Sequence, residues 1–480
     1  MPVTILHLSD LHRDSGSRLS TTALLDSLRR DRTRYTTDEK IARPDIAVVS
    51  GDIVYGVGPS EAGGEAKLAR QYDEAFEFLV SLAEEFFGGD RERLVIVPGN
   101  HDVSLPHVEL STEVVNLPDL PEQRALLSQG LGFDGSQLRW STSDLTMRRI
   151  KDADTYNRRF EPFARFYNKF YGTARSFSLE PGDQFSIHDF PTLGIVIAGL
   201  SSCYENDLYN RTGRIYPDCV ASAGRRVAEL TRRGRLALAV WHHSLQGGPR
   251  DVDYLDADVL QSLMDGDFVF AMHGHQHRPQ VLEHRFTADR TRGMVVVSAG
   301  TLCGGPRSLP SGRMRAYNIL TLDPYAKNGV IHVREMKNTD FSLPVWGPAF
   351  VAEFSGSSLS FTFTSPARAA SAFEDASEAA ELLRGGNAVE AYSLVRRHLS
   401  DPLARRVAVQ ALGELRDWKE IVRVISPPTS ADEFVLLADA FDELNLVTDL
   451  SALLSSNFAV ASSDPGVQMC IAIKRHRVER

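Results

Sequence analysis

Three observations predict an α/β sandwich with a helical insertion and an α-helical C-terminal module. Short apolar runs rich in Val and Ile alternate with amphipathic stretches through the first two-thirds of the chain. Most of these runs end in polar or glycine residues, as buried strands do. Beyond about residue 370 the strand-like runs stop and helical periodicity takes over. With 480 residues, 42% of them hydrophobic, the chain has material for a large core and, at roughly 150 residues per domain, for about three domains.

The strand candidates, in order, are Thr4–Leu8, Ile46–Ser50, Leu94–Val97, Gly194–Ala198, Leu236–Trp241, Phe268–Met272 and Met294–Ser298. Ala316–Leu322 and Val330–Arg334 read as a closing antiparallel pair. Between strands, Leu68, Tyr72, Ala75, Phe76, Leu79 and Leu82 recur at helical spacing and predict a helix over Leu68–Phe87. Residues 103–185 break the rhythm and read as a helical insertion or cap within a catalytic domain spanning 1–340. Its part from Arg139 to Arg175 is basic, with Arg148, Arg149, Arg158 and Arg159 at its centre. Those side chains are either a solvated face or a phosphate-facing surface. The run Phe160, Phe163, Phe166, Tyr167, Phe170, Tyr171 reads as cap core rather than a base-stacking platform. Residues 341–369, with Pro344, Pro348, Gly356 and Pro366, read as a connector with some strand character around Ser358–Phe363. Residues 370–480 form the helical module. Leu383–Val395, Leu415–Ile425 and Leu444–Leu454 resemble one another, with Glu390, Glu420 and Asp449 in register. This similarity suggests stacked helical hairpins of the tetratricopeptide type and a surface for a protein partner.

Composition excludes several classes. No apolar run approaches ~18 residues, so no membrane span is expected, and the opening MPVTILHLSDLH reads as a first strand rather than a signal peptide. Cys203, Cys219, Cys303 and Cys470 are scattered, which fits a reducing, cytoplasmic setting and no thiolate zinc site. The net charge of −10 gives no global attraction to nucleic acid or anionic lipid.

Five motifs carry the chemistry, most at the end of a strand candidate: Asp10-Leu11-His12, Gly51-Asp52, Gly99-Asn100-His101-Asp102, His242-His243 and Gly274-His275-Gln276-His277. Half of the 14 histidines fall in or beside them. A phosphoester is an anion and resists an anionic nucleophile. Two divalent cations roughly 3.5–4 Å apart neutralise it, lower the pKa of a bound water and stabilise attacking and leaving oxygens. One carboxylate must bridge them, and imidazoles select transition metals over magnesium. Asp10 and His12 are two apart, so an extended segment points both the same way.

The set D-x-H, G-D, G-N-H-D, H and G-H-x-H resembles the calcineurin-like metallophosphoesterase superfamily over about residues 1–340. The resemblance implies a four-layer α/β sandwich with two metals held by loops at the strand ends. It implies Asp10, His12 and His277 at the first metal, Asn100, His242 and His275 at the second, and Asp52 between them. His101 would protonate the departing oxygen, oriented by Asp102 through its other ring nitrogen. The family's ligand is usually the first His of such a pair, which selects His242 and leaves His243, with His273, behind the ligands. The metals implied are two divalent transition ions, Mn first, with Fe, Zn or Ni as alternatives.

Departures from the pattern bear on substrate. Protein phosphatases of the superfamily extend the second motif to G-D-x-x-D-R, whereas this chain has Gly51-Asp52-Ile53-Val54-Tyr55-Gly56. It also has Asp102 where they usually have Glu. Both features lean toward a phosphodiesterase that hydrolyses a nucleotide-type diester by metal-bound hydroxide. A manganese-dependent DNA or RNA nuclease of the repair type, working with a partner protein, is the alternative. A third reading, a scaffold acting through the helical module, is disfavoured because no ligand is missing.

Overall fold

A computed structural model describes residues 2–14, 19–131, 135–247, 253–288, 292–305, 308–324, 327–363 and 372–478. Its strands are β1 (Val3–Leu8), β2 (Ile46–Ser50), β3 (Leu94–Val97), β4 (Thr112–Val115), β5 (Leu138–Ser141), β6 (Thr146–Ile150), β7 (Phe185–Phe190) and β8 (Ile195–Leu200). Then follow β9 (Leu236–Val240), β10 (Phe268–His273), β11 (Gln280–Arg285), β12 (Gly293–Ser298), β13 (Ala316–Asp323), β14 (Asn328–Met336), β15 (Trp346–Pro348) and β16 (Ser358–Thr362). One sheet has the order β15-β14-β13-β1-β2-β3, with β16 also paired to β14, and the other the order β11-β12-β10-β9-β8-β7. The strands that carry the motifs pair in parallel, β1 with β2 and β2 with β3 in one sheet, β9 with β10 in the other.

The period of two along each strand sorts side chains into layers. Val3, Ile5, Ile46 and Val48 meet Ile195, Ile197, Leu236 and Leu238 between the sheets. Their neighbours Leu6, Leu8, Ala47 and Val49 face the helices Thr21–Thr37 and Gly64–Phe87. Val196, Ala198, Ala237 and Ala239 face the helices Pro217–Arg232 and Asp258–Asp265. Helix, sheet, sheet, helix gives the four-layer sandwich.

Two boundaries differ from the sequence reading. The stretch 103–185 is not purely helical: β4, β6 and β5 form a small antiparallel sheet. Their Arg-rich, weakly alternating sequences carry little strand signal, and cross-strand pairing supplies it. The aromatic helix Glu161–Tyr171 belongs to the main sandwich, since Phe163, Phe166, Tyr167 and Phe170 are buried in the same layer as Phe78 and Leu79. In the stretch 341–369, β16 lies where strand character was expected, and β15, which was not expected, also pairs with β14. Trp346 Nε1 donates to Ser27 Oγ at 2.9 Å, and Phe361 and Phe363 join the layer between the sheets. Residues 364–371 lie outside the described residues.

His188 on β7 offers a stability test. It is fully buried, and neither ring nitrogen has a hydrogen-bond partner among the described residues. Burial, reinforced by Arg175, holds its pKa well below the ordinary 6.5. The unfolded chain therefore binds a proton that the folded chain refuses, and stability is lost as pH falls below that value. His188→Leu should stabilise by roughly 1–3 kcal/mol, with an advantage that widens from about pH 7.5 to 5. Thermal melts of both proteins across that range check this, and a constant difference would refute it.

The chain divides into a unit of residues 1–231 with 235–366 and a unit of 232–234 with 367–480. The second unit is helical. Its helices Ala388–Val395, Trp418–Ile425 and Val447–Leu454 correspond to the three similar segments. Asn387 and Asp417 cap the first two through the backbone of Glu390 and Glu420, which places those acids in the first turn, where the helix dipole favours them. No helix among the described residues is long and apolar enough to cross a membrane.

Candidate metal centre

All five motifs converge at the C-terminal ends of β1, β2, β3, β9 and β10. The loops that follow are tight. Asp10, His12, Asp52, His275 and His277 all have positive φ, a conformation that costs non-glycine residues about 1–3 kcal/mol. Gly51 also has positive φ, at 92°, and a Cβ there would lie 2.5 Å from His242 Nδ1. At Gly99 a Cβ would come within 2.2 Å of Asp52 Oδ1. These glycines let the ligand side chains of neighbouring loops pass through the space a side chain would fill.

The donors form two groups that share Asp52. In the first, His277 Nε2 lies 3.1 Å from Asp10 Oδ1 and 3.3 Å from His12 Nε2. In the second, Asn100 Oδ1 lies 3.0 Å from both His242 Nε2 and His275 Nδ1. The two oxygens of Asp52 part company: Oδ1 is 3.4 Å from His242 Nε2 and Oδ2 is 3.8 Å from His12 Nε2. Sets of these donors, such as Asp10, His12 and His277, lie within 4.8 Å of one another.

The histidines present lone pairs inward. His242 Nδ1 is 2.8 Å from Ser50 O and His277 Nδ1 is 2.6 Å from Ser308 O. A carbonyl can only accept, so those outer nitrogens carry the proton and the inner ones are free to coordinate. His275 is used in the opposite sense, its Nε2 lying 3.3 Å from Asp253 Oδ2 while Nδ1 faces inward. Electrostatics agree that this centre calls for cations. Burial disfavours a charged His242, yet Asp52 outweighs it and raises the pKa to about 9. Burial likewise opposes ionisation of Asp10, and His277 overcomes it, holding the carboxyl far below its usual range. Two buried carboxylates, inward-facing imidazoles and an amide oxygen are a donor set that suits two divalent metal ions.

His101 lies at the edge of this cluster, with a side chain 38% exposed at the cleft. Its Nδ1 lies 2.6 Å from Tyr55 O, and its backbone N–H donates to Asp52 Oδ1 at 2.9 Å. Asp102 therefore does not orient it, contrary to the expectation. Asp102 Oδ2 accepts instead from Gly99 N at 2.8 Å and Ile53 N at 3.1 Å, and Tyr72 Oη lies 3.2 Å from Oδ1. It ties the Asp52 loop to the Asn100 loop. Burial and the charge of Asp52 raise its pKa to about 7. Asp102→Ala should cost roughly 3 kcal/mol by stranding buried donors, whereas Asp102→Asn keeps an acceptor and should cost under about 1 kcal/mol. Chemical denaturation of both variants is the check, and equal losses would refute the tether.

His243 sits behind the centre, with Nδ1 2.9 Å from Ser202 Oγ and Nε2 3.2 Å from Asn206 Nδ2. His273 is buried against Trp241. The arginines expected at a phosphate surface are engaged elsewhere. Arg159 is 1% exposed and lies over the Tyr156 ring, so it faces no substrate. Arg148 pairs with Asp144, Arg149 with Glu113 and Arg158 with Glu161. None of the four lines the cleft of about 530 Å³ at the centre, whose walls include Tyr55, Val57, Val103, Leu105, Leu208 and Arg211. Asp253 and the carbonyls of Ser50, Tyr55 and Ser308 were not singled out by sequence reading. No motif marks them, because backbone carbonyls belong to every residue.

A family model described as calcineurin-like phosphoesterase matches residues 3–279. Among solved structures the chain is similar to a dimetal phosphatase from Danio rerio at 12% identity and a TM-score of 0.36, covering 76% of this chain and 100% of that one. It is similar to TT1561 of Thermus thermophilus at 12% identity and a TM-score of 0.30, covering 68% and 96%. It is also similar to the calcineurin-like phosphoesterase YfkN from Bacillus subtilis at 12% identity and a TM-score of 0.29, covering 85% and 98%. No curated protein matches the chain.

Proposed function

Because the chain belongs to the calcineurin-like phosphoesterase family, we propose that it is a two-metal phosphodiesterase acting on a nucleotide-type diester. The observation that carries this is the divided Asp52, one oxygen toward each of two complete donor groups over an open cleft. Asp10, His12 and His277 would hold one ion, Asn100, His242 and His275 the other, and Asp52 both, with Mn²⁺ the first candidate. Bound there, the pair would supply charge neutralisation, a nucleophile at neutral pH and stabilisation of both reacting oxygens.

The protein's own part is positional. Tyr55 O fixes the His101 proton on Nδ1 and turns Nε2 toward the cleft, where the protonated ring can hand a proton to the leaving oxygen. The loop after Asp52 offers Ile53, Val54, Tyr55 and Gly56 and no arginine to clamp a dianionic monoester. Val57, Val103, Leu105 and Leu208 give the cleft an apolar wall that suits an esterified substituent. A nuclease variant of this chemistry draws no support from Arg148, Arg149, Arg158 or Arg159, since all four are paired or buried. A scaffold role would not require the complete donor set. In this proposal the helical unit serves contact with a protein partner.

Metal-depleted protein should be inactive and should regain activity with Mn²⁺. It should then hydrolyse bis-p-nitrophenyl phosphate with a higher kcat/KM than p-nitrophenyl phosphate. Full activity in EDTA would sink the two-metal proposal, and a preference for the monoester would sink the diester assignment.

A further inference from the structure

We propose that Glu353 is a positioning residue for the metal ion assigned to Asp10, His12 and His277. It clamps the exposed loop whose Ser308 carbonyl fixes the ring of His277. The inference rests on the two-metal proposal above and adds a carboxylate well beyond residues 3–279, the stretch matched by the family model. His277 Nδ1 lies 2.6 Å from Ser308 O, and this contact keeps the proton on Nδ1 and leaves Nε2 to coordinate. Ser308 itself is exposed. The earlier part of its loop is anchored beside the ligands. Leu302 N donates to Ser9 O at 3.0 Å, Thr301 Oγ1 to Asp10 O at 2.8 Å, and Gly304 N to Thr301 Oγ1 at 2.6 Å. The part from Ser308 to Arg313 is held differently. Ser308 N donates to Gly305 O and Arg313 N to Pro310 O, both within the loop. Among the described residues, the polar links of 308–313 beyond this loop are that of Ser308 to His277 and that of Arg313 to Glu353.

Glu353 has a firm base from which to hold the loop. It lies in the tight turn Ala352–Phe354, closed by Val351 N donating to Gly356 O at 2.8 Å and Phe354 N to Val351 O at 3.0 Å. The strands before and after it, β15 and β16, both pair with β14. Glu353 Oε1 accepts from Arg313 Nη2 at 3.3 Å and also from Arg278 Nη2. Arg278 directly follows His277, and its carbonyl accepts from Ser298 Oγ at 2.6 Å. One carboxylate oxygen therefore joins the segment that carries the ligand to the loop that orients it. Exposed ion pairs contribute little to the stability of a fold, but this pair has another task. It restricts where a carbonyl sits against an imidazole, and the outer hydrogen-bond partner of a metal ligand is worth about 10–100-fold in metal affinity. The clamp acts through His277, so its effect falls on the group of Asp10, His12 and His277 and not on that of Asn100, His242 and His275.

The test titrates Mn²⁺ into metal-depleted, full-length protein by calorimetry. Wild type, Glu353→Gln and Arg313→Met are compared, alone and combined with His12→Ala, which disturbs mainly the first metal position. Wild type should bind two ions. Glu353→Gln should weaken one of them about tenfold and leave the other unchanged. Arg313→Met should do the same, although it removes a positive charge and by charge alone would tighten binding. That opposition separates positioning from electrostatics, since Glu353→Gln weakens binding on either account. In the His12→Ala background neither change should alter the affinity of the ion that remains, because the clamp serves the position already lost. Affinity and stoichiometry are read separately, so a partly folded variant lowers the second without distorting the first. The clamp is overturned if Arg313→Met binds both ions as tightly as wild type or more so, if both ions weaken equally, or if the loss persists beside His12→Ala. Wild type that binds fewer than two ions would overturn the two-metal proposal itself, and the clamp with it.

Discussion

Asp52→Asn is expected to reduce phosphodiester hydrolysis by on the order of 10³-fold or more and to deplete both metal positions together. The two oxygens of Asp52 address the two groups separately, Oδ1 toward His242 and Oδ2 toward His12. Asparagine preserves shape, tolerates the positive φ of 51° at this position, and keeps an oxygen to accept from His101 N. What it removes is the buried negative charge that draws cations inward and raises the His242 pKa. Loss of a terminal ligand such as His12 should disturb mainly one position. Metal analysis after dialysis against Mn²⁺, beside hydrolysis of bis-p-nitrophenyl phosphate, separates the cases. Two ions bound with wild-type turnover would refute the bridging role.

The centre was largely legible in the sequence because its ligands must lie at strand ends, where short apolar runs stop and Gly, Asp, Asn and His begin. The motifs were found at such junctions, the resemblance to the metallophosphoesterase superfamily picked Asp10, His12, Asp52, Asn100, His242, His275 and His277 out of them, and the fold brings their side-chain donor atoms near one another. The strands were legible for a related reason. Val3 to Leu8 and Ile46 to Ser50 are buried on both faces, so they read as continuous apolar runs. By contrast, β15 is a three-residue strand of Trp, Gly and Pro, and it owes its existence to pairing with β14.

Hydrogen-bond direction and charge pairing were not legible. In the sequence Asp102 follows His101 directly, which invites a catalytic pair, yet the turn at 100–102 aims the carboxylate back at Gly99 N. A count of arginines between 139 and 175 suggested a basic face, but Glu113, the partner of Arg149, lies 36 residues away on a neighbouring strand. Arg139 finds Asp207 across 68 residues. Net charge of a segment says little about its surface when its partners come from elsewhere.

His101→Ala is expected to lower kcat by ~10²–10⁴ for substrates with poor leaving groups while leaving metal content at the wild-type level. His101 Nε2 lies 4.0 Å from Asp52 Oδ2, and His12, Asp52 and His101 are close enough to form a ligand triad of their own, so metal content is the discriminating measurement. The geometry favours the acid. Its Nδ1 is committed to Tyr55 O, its side chain is 38% exposed where that of Asp52 is buried, and its ring meets His12 edge-on at 4.8 Å. A group that donates a proton matters most when the departing oxygen is basic. The loss should therefore shrink markedly for nitrophenyl esters and be largest for alkyl or nucleoside leaving groups. Tyr55→Ala retains the backbone carbonyl and should preserve that leaving-group dependence, as should Asp102→Asn, whose side chain does not touch the ring. If His101→Ala lost metal in proportion to activity, or lost equal activity on both leaving-group classes, His101 would be a ligand or a structural residue and not the proton donor.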